Sequence, residues 1–150
     1  MLVELTPADI PECMRIERLP GYEAFIGQWT AEEHGQEMAS PAARYLGWRT
    51  DAGLTGFVIF QRYLDPVVRL RRIAVTEPGG GTGTRLLLAV IDWLFERNSA
   101  IAVDLHVRPA NARAIKVYER EGFAMADPED DNAETMILTR ERRAQRKAAT

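Results

Sequence analysis

Cysteine is almost missing from this chain: Cys13 stands alone among 150 residues. That excludes an internal disulfide and any cysteine metal cluster, so no metal is expected and a reducing cytoplasm suits the protein. No apolar run is long enough to cross a bilayer, and residues 1–7 have neither the basic start nor the apolar core of a secretory leader. An excess of positive charge is lacking too. Nineteen Lys and Arg against 22 Asp and Glu give a net charge of -3, so no global field recruits nucleic acid or an anionic membrane. Any anionic ligand must be held locally. There is no internal repeat and no linker. A chain that is 46% hydrophobic and 27% charged is apolar enough to fold alone. One domain is expected over residues 1–140, with a basic polar tail over 141–150 disordered beyond its first residues.

Residues 2–5 read as a short strand. Thr6-Pro7-Ala8-Asp9 then supplies a capping hydroxyl, a proline at the first helical position and an early acid, which predicts a helix to about Arg18. Thr30-Ala31-Glu32-Glu33 has the spacing of a capping box and starts a second short helix. Two β-rich runs flank the turn Asp51-Ala52-Gly53, and a third strand follows Asp65-Pro66 over residues 67–75. Leu86, Leu87, Val90, Ile91 and Leu94 recur at the helical period, and Asn98 ends that helix. Ile101, Val103, Leu105 and Val107 alternate with polar or small residues as a two-faced strand does. A further helix runs from Asn111 to Gly122, and two strands, over 123–126 and 135–139, flank an acidic loop.

Between the third strand and its helix lies Thr76-Glu77-Pro78-Gly79-Gly80-Gly81-Thr82-Gly83-Thr84. Glycines admit backbone amides close to an anion, and a helix start adds free N–H groups and a positive dipole end. The loop is therefore a candidate phosphate cradle. A nucleoside-triphosphatase loop requires Gly-Lys-Ser or Gly-Lys-Thr, yet Gly83 is followed by Thr84 and Arg85. A dinucleotide fingerprint requires a glycine at its sixth place, where the two available frames put Leu86 or Thr84. Taken alone, the glycines also suit a plain flexible turn.

A second block, His106-Val107-Arg108-Pro109-Ala110-Asn111 through Ala114 and Tyr118 to Gly122-Phe123, places Asn111, Ala114, Ile115 and Tyr118 on one helix face. The two blocks, in this order and at this separation, resemble the GNAT superfamily of acyl-CoA-dependent N-acetyltransferases over residues 67–123. Gly81-Thr82-Gly83 matches its glycine step and Leu86-Leu87 its apolar pair. The resemblance implies an α/β (α+β) fold with a mixed, largely antiparallel sheet of six to seven strands flanked by about four helices. It also implies acetyl-CoA as co-substrate and an amine acceptor, a small molecule or a peptide or protein amine, attacking directly in a ternary complex.

By the same resemblance, backbone groups of Ile73, Ala74 and Val75 hydrogen-bond the pantetheine arm as an added strand. Gly80, Gly81, Thr82, Gly83 and Thr84 hold the pyrophosphate. Asn111 caps its helix and contacts the arm, Ala114 lies beside it, and Tyr118 is the general acid that protonates the departing thiolate. A lysine amine titrates near ~10.4 and an α-amine near ~7.7 to 8.0, so a base is expected for the former above all. Where many members place a glutamate, this chain has Arg69. Glu17, Asp65, His34 and His106 remain as candidates, and no spacing selects among them. Pro78 stands where the family loop often begins with Arg or Gln, and Arg85 or Arg113 are the cations able to compensate.

The acceptor site is expected in residues 20–34, with Tyr22, Phe25 and Trp29 as lining aromatics. Arg69 in place of an acid also suits a non-catalytic acyl-CoA-binding regulatory module, and the glycines alone suit a nucleotide-binding one. The acceptor's identity and the oligomeric state, a homodimer included, are not written in the sequence.

Overall fold

In the computed structural model, which describes residues 1–22, 26–129 and 131–149, seven strands form one sheet ordered β1-β2-β3-β4-β5-β7-β6. The strands are β1 (Leu2–Glu4), β2 (Arg44–Thr50), β3 (Gly53–Gln61), β4 (Val67–Val75), β5 (Ala102–Val107), β6 (Ala124–Ala126) and β7 (Glu134–Thr139). The helices are α1 (Ile10–Glu17), α2 (Ala31–Ala39), α3 (Thr82–Arg97), α4 (Ala112–Arg120) and α5 (Arg140–Ala148), with a 3-10 turn at Pro7–Asp9. β4 and β5 pair in parallel, and the other pairs are antiparallel.

β3 shows how the apolar pattern builds two layers. Phe57 and Ile59 enter a core with Cys13 and Ile16 of α1, whereas Val58 and Phe60 enter the opposite core with Val90, Ile91 and Leu94 of α3. Side chains alternate across a strand, so a strand covered on both faces reads as an unbroken apolar run. α3 sits close enough that a Cβ at Gly56 would fall 2.9 Å from Leu86 Cδ2. The missing side chain in β3 is what lets this helix settle on the sheet.

The decisive irregularity lies in β4. Ile59 pairs with Arg72 and Phe60 with Leu70, so Arg71 is an extra residue. Such a bulge bends its strand and increases the local twist. β4 accordingly pairs with β5 only from Val67↔Ala102 to Leu70↔Leu105. Beyond that point the two strands part, and the remainder of β4 has no strand on its β5 side.

The expected element order is present, with one correction at the end of the chain. Residues 140–148 are not a disordered tail but form α5, capped by Thr139, whose side chain accepts from the Arg142 amide at 3.0 Å. Three backbone carbonyls receive Arg140: those of Phe95, Asn98 and Ala100, at 2.7, 2.5 and 2.8 Å. Arg143 adds a two-pronged bond to Asp92 of α3 at 2.8 and 2.9 Å. A run of arginines reads as solvated polarity until acceptors are placed beside it. Among the described residues, no helix is long and apolar enough to cross a membrane.

Candidate functional site

The parting of β4 from β5 opens a cleft of about 1300 Å³. Its walls are Ile73, Ala74 and Val75 of β4, His106 and Val107 of β5, and the inner face of α4 with Asn111, Ala114 and Tyr118. At one end stands the glycine loop, represented by Gly79, Gly81, Gly83 and Thr84; at the other are Tyr22, Ile26 and Gly27. Gly80 and Thr82, expected with the cradle, belong to the loop but not to the cleft wall.

Left-handed backbone is needed at two points in the loop. Gly79 has φ +94° and Gly81 φ +82°, and Gly81 is the N-cap of α3. An L side chain at such φ costs roughly 1–2 kcal/mol, so glycine is the residue that makes this entry to the helix. The first α-helical bond runs from Arg85 N to Gly81 O at 3.0 Å. The amides of Thr82, Gly83 and Thr84 thus lie ahead of the first repeat of that pattern, as donors at a positive dipole end. Guanidinium groups gather on the same loop. Arg113 reaches Gly79 so closely that a Cβ there would be 2.6 Å from its Nη2, Arg120 Nη2 is 3.4 Å from Thr84 Oγ1, and Arg85 Nη2 is 3.4 Å from Thr82 Oγ1. The charge absent at Pro78 is brought by other elements.

Asn111 Oδ1 accepts from Ala114 N at 3.3 Å, the cap anticipated from its position. One helical turn further, Tyr118 packs against the Phe123 ring, with centroids 5.4 Å apart. Burial pushes the Tyr118 phenol up to about 12. It is protonated at neutral pH.

The four candidate bases separate cleanly. Asp65 is exposed in the β3–β4 turn. Glu17 and His34 are fully buried and bonded to each other, with His34 Nε2 2.9 Å from Glu17 Oε1 and His34 Nδ1 2.7 Å from Tyr45 Oη. Neither lines the cleft. His106 does, and its Nε2 lies 3.6 Å from Glu129 Oε2. Arg69 is buried and held by Asp104 at 2.6 and 3.1 Å, with Glu129 also within 3.3 Å, so the basic residue found in place of an acid is neutralised within the sheet. The hydrogen bond from Arg69, then its charge, holds the Glu129 carboxyl below the usual range. Glu129 was not anticipated. It lies in an acidic loop that carries no motif, and only the fold brings that loop back over β5.

Of the expected acceptor aromatics, Tyr22 lines the cleft and Phe25 lies outside the described residues. Trp29 does not line it. Its ring covers the guanidinium groups of Arg72 and Arg71, whose central carbons lie 4.5 and 5.3 Å from the ring centroid. Tyr22 also makes a contact that no local pattern signals. Its hydroxyl donates to Val75 O at 2.6 Å and accepts from Val75 N at 2.8 Å.

Residues 10–123 match the model of the acetyltransferase (GNAT) family. The chain belongs to that family. A curated relative, the N-alpha-acetyltransferase RimI of Mycobacterium tuberculosis (strain ATCC 25618 / H37Rv), is 29% identical over 126 residues, covering 79% of this chain and 75% of its own. Among solved structures, the ribosomal-protein-S18-alanine N-acetyltransferase of Escherichia coli superposes with a TM-score of 0.73 at 24% identity, over 91% of this chain and 90% of that one. The spermidine N-acetyltransferase of Vibrio cholerae, in complex with CoA and spermine, gives 0.80 at 15% identity over 96% and 97%. These likenesses show a shared fold. Membership makes this chain an acyltransferase with acetyl-CoA as co-substrate, and no nucleotide-binding module is needed to account for its glycines.

Proposed function

We propose that this acetyltransferase binds acetyl-CoA in the cleft between β4 and β5 and transfers the acetyl group to an amine that enters from the end bounded by Tyr22, Ile26 and Gly27. One observation carries the reading: an unpaired strand edge, a left-handed glycine loop at a helix start and a protonated tyrosine share a single cleft. The residues suit the ligand. First-turn amides of α3 with Arg113 and Arg120 would receive the pyrophosphate, the edge of Ile73–Val75 that no strand covers would receive the amide-bearing arm as a strand, and Ala114 leaves room beside it.

Acetyl-CoA supplies an activated acyl carbon, and the acceptor nitrogen bonds to it as the carbon–sulfur bond breaks. His106 takes the proton that the nitrogen must lose, and Glu129 beside it favours the imidazolium formed. Tyr118 gives its proton to the sulfur. Cleft walls hold both reactants together, so the chain need not form a covalent link of its own. Cys13 is buried on the face of α1 that packs on β3 and plays no part; as a lone thiol it suits a cytoplasmic enzyme.

The test is a thiol-release screen with acetyl-CoA over amine classes: peptide N-termini, lysine side chains, polyamines and aminoglycosides. Turnover with one class, abolished by Tyr118→Phe while acetyl-CoA affinity measured by calorimetry persists, is the result expected. Binding of acetyl-CoA without acetylation of any class would overturn the catalytic reading.

A further inference from the structure

The Tyr22–Val75 contact involves one side-chain oxygen that serves as donor and acceptor to the two main-chain groups of one residue. Val75 ends β4, and the next amide, Thr76 N, bonds to Thr55 O at 2.9 Å on the β3 side. Main-chain groups alternate in direction along a strand. Those of Val75 therefore point the other way, into the gap that β5 has vacated. Val75 is 5% exposed, and leaving its N–H and C=O without partners would cost free energy. The phenol meets that demand as a neighbouring strand would. Burial raises the Tyr22 pKa more than the hydrogen bond from the Val75 backbone amide lowers it, so the hydroxyl keeps its proton and both bonds hold at neutral pH.

We propose that Tyr22 is a built-in place-holder for the amide-bearing arm of acetyl-CoA: the phenol and the arm compete for the same Val75 pair, and cofactor binding displaces the ring. This rests on the cofactor reading given above. Displacement has a consequence at the acceptor end. Tyr22 O accepts from Ile26 N at 2.9 Å and Tyr22 N donates to Leu19 O at 3.2 Å, while Ile26 and Gly27 form that end of the cleft. Moving the ring off Val75 therefore disturbs this wall.

The sign of one measurement separates a competitor from an ordinary lining residue. Tyr22→Phe retains the ring and removes the two bonds, so the Kd for coenzyme A by calorimetry should fall, by roughly 5- to 150-fold if the bonds together contribute what two neutral hydrogen bonds usually do. In the protein without coenzyme A, the Val75 amide should exchange with deuterium more slowly in the wild type than in Tyr22→Phe, as read by NMR. Equal exchange overturns the contact. An unchanged or raised Kd in Tyr22→Phe, with wild-type protein that binds coenzyme A, overturns the competition alone. Wild-type protein that takes up no coenzyme A overturns the cofactor reading and this inference with it.

Discussion

Glu17 and Arg72 meet at 3.0 Å with both side chains sealed from solvent, joining the end of α1 to β4 one residue past its bulge. The carboxylate is fully engaged. Besides Arg72 it accepts from His34, from Arg18 at 2.8 Å and from the Trp29 amide at 3.2 Å. Among the described residues Arg72 has no hydrogen-bond partner for Nε or Nη2, and its guanidinium lies beneath the Trp29 ring. A buried ion pair of this kind adds little over an apolar pair but is costly to break from one side, by about 3–5 kcal/mol. Glu17→Ala should therefore lose an amount of that order in denaturant unfolding.

The same carboxylate predicts a pH dependence. Burial pushes the Glu17 carboxyl up, but the hydrogen bond from His34 and the charges of His34 and Arg72 together outweigh it, leaving it below its ordinary value of 4.5. In the acid range the unfolded chain binds the proton more readily than the folded one, so stability rises with pH there. The contribution is complete above the unfolded value and is lost as pH falls through the folded one. Melting curves of wild type and Glu17→Gln should lie far apart at neutral pH and converge in acid. A constant separation would assign the loss to packing alone.

Tyr118→Phe tests the proton donor. Burial raises the hydroxyl to about 12, and among the described residues neither a charge nor a hydrogen bond perturbs it, so its removal disturbs little else. Positioned acid catalysis contributes about 10²- to 10⁴-fold. kcat should fall within that range while the Kd for acetyl-CoA stays unchanged; a rise in Kd of similar size would make Tyr118 a binding residue.

Much of this was legible in the chain. The helix-face spacing of Asn111, Ala114 and Tyr118 and the run of glycines before α3 required only local periodicity and backbone freedom, and the structure lines one cleft with Asn111, Ala114, Tyr118, Gly79, Gly81 and Gly83. What could not be read was long-range. Glu129 meets Arg69 across 60 positions and Tyr22 meets Val75 across 53. Neither pairing leaves a mark on its own segment. Arg72 did carry a signal: an arginine in the apolar strand 67–75 must find a buried carboxylate if it faces a core. Which carboxylate it finds depends on how α1 crosses the sheet.

His106 and Glu129 offer a test of the proton acceptor. If His106 takes the amine proton, His106→Gln should lower kcat by about 10²- to 10⁴-fold while the Kd for acetyl-CoA holds. Glu129→Gln keeps the imidazole but removes its carboxylate neighbour at 3.6 Å. It should lower kcat by a smaller factor. Rates that both variants leave unaltered would remove the pair from the reaction.

The glycine loop can be probed by shape and by charge separately. Gly81→Ala forces a Cβ into φ +82° and within 3.1 Å of Arg85 Nη1, so it should weaken acetyl-CoA binding through a distorted helix start. Arg113→Ala leaves the backbone intact and removes a guanidinium beside Gly79. Its loss should raise the Kd roughly tenfold at low salt and flatten the dependence on ionic strength, as expected where one charge-assisted contact to phosphate is removed. Equal salt dependence in wild type and variant would place the phosphates away from Arg113.

Arg140 shows what the chain end contributes. Its guanidinium donates to three carbonyls, of Phe95, Asn98 and Ala100, and lies 4.7 Å from the Phe95 ring centroid. Two of these carbonyls belong to the last turn of α3 and the residue after it, where acceptors lack helical partners and the dipole favours a cation. Hydrogen bonds to a charged group contribute about 1.5–3 kcal/mol each and do not add fully, so Arg140→Ala should lower stability by about 3 kcal/mol, or Tm by roughly 6–12 °C. Arg142, two residues on, exposes its side chain and should tolerate alanine within about 0.5 kcal/mol. If the two variants melt together, the end of the chain is not fastened to α3 by this residue.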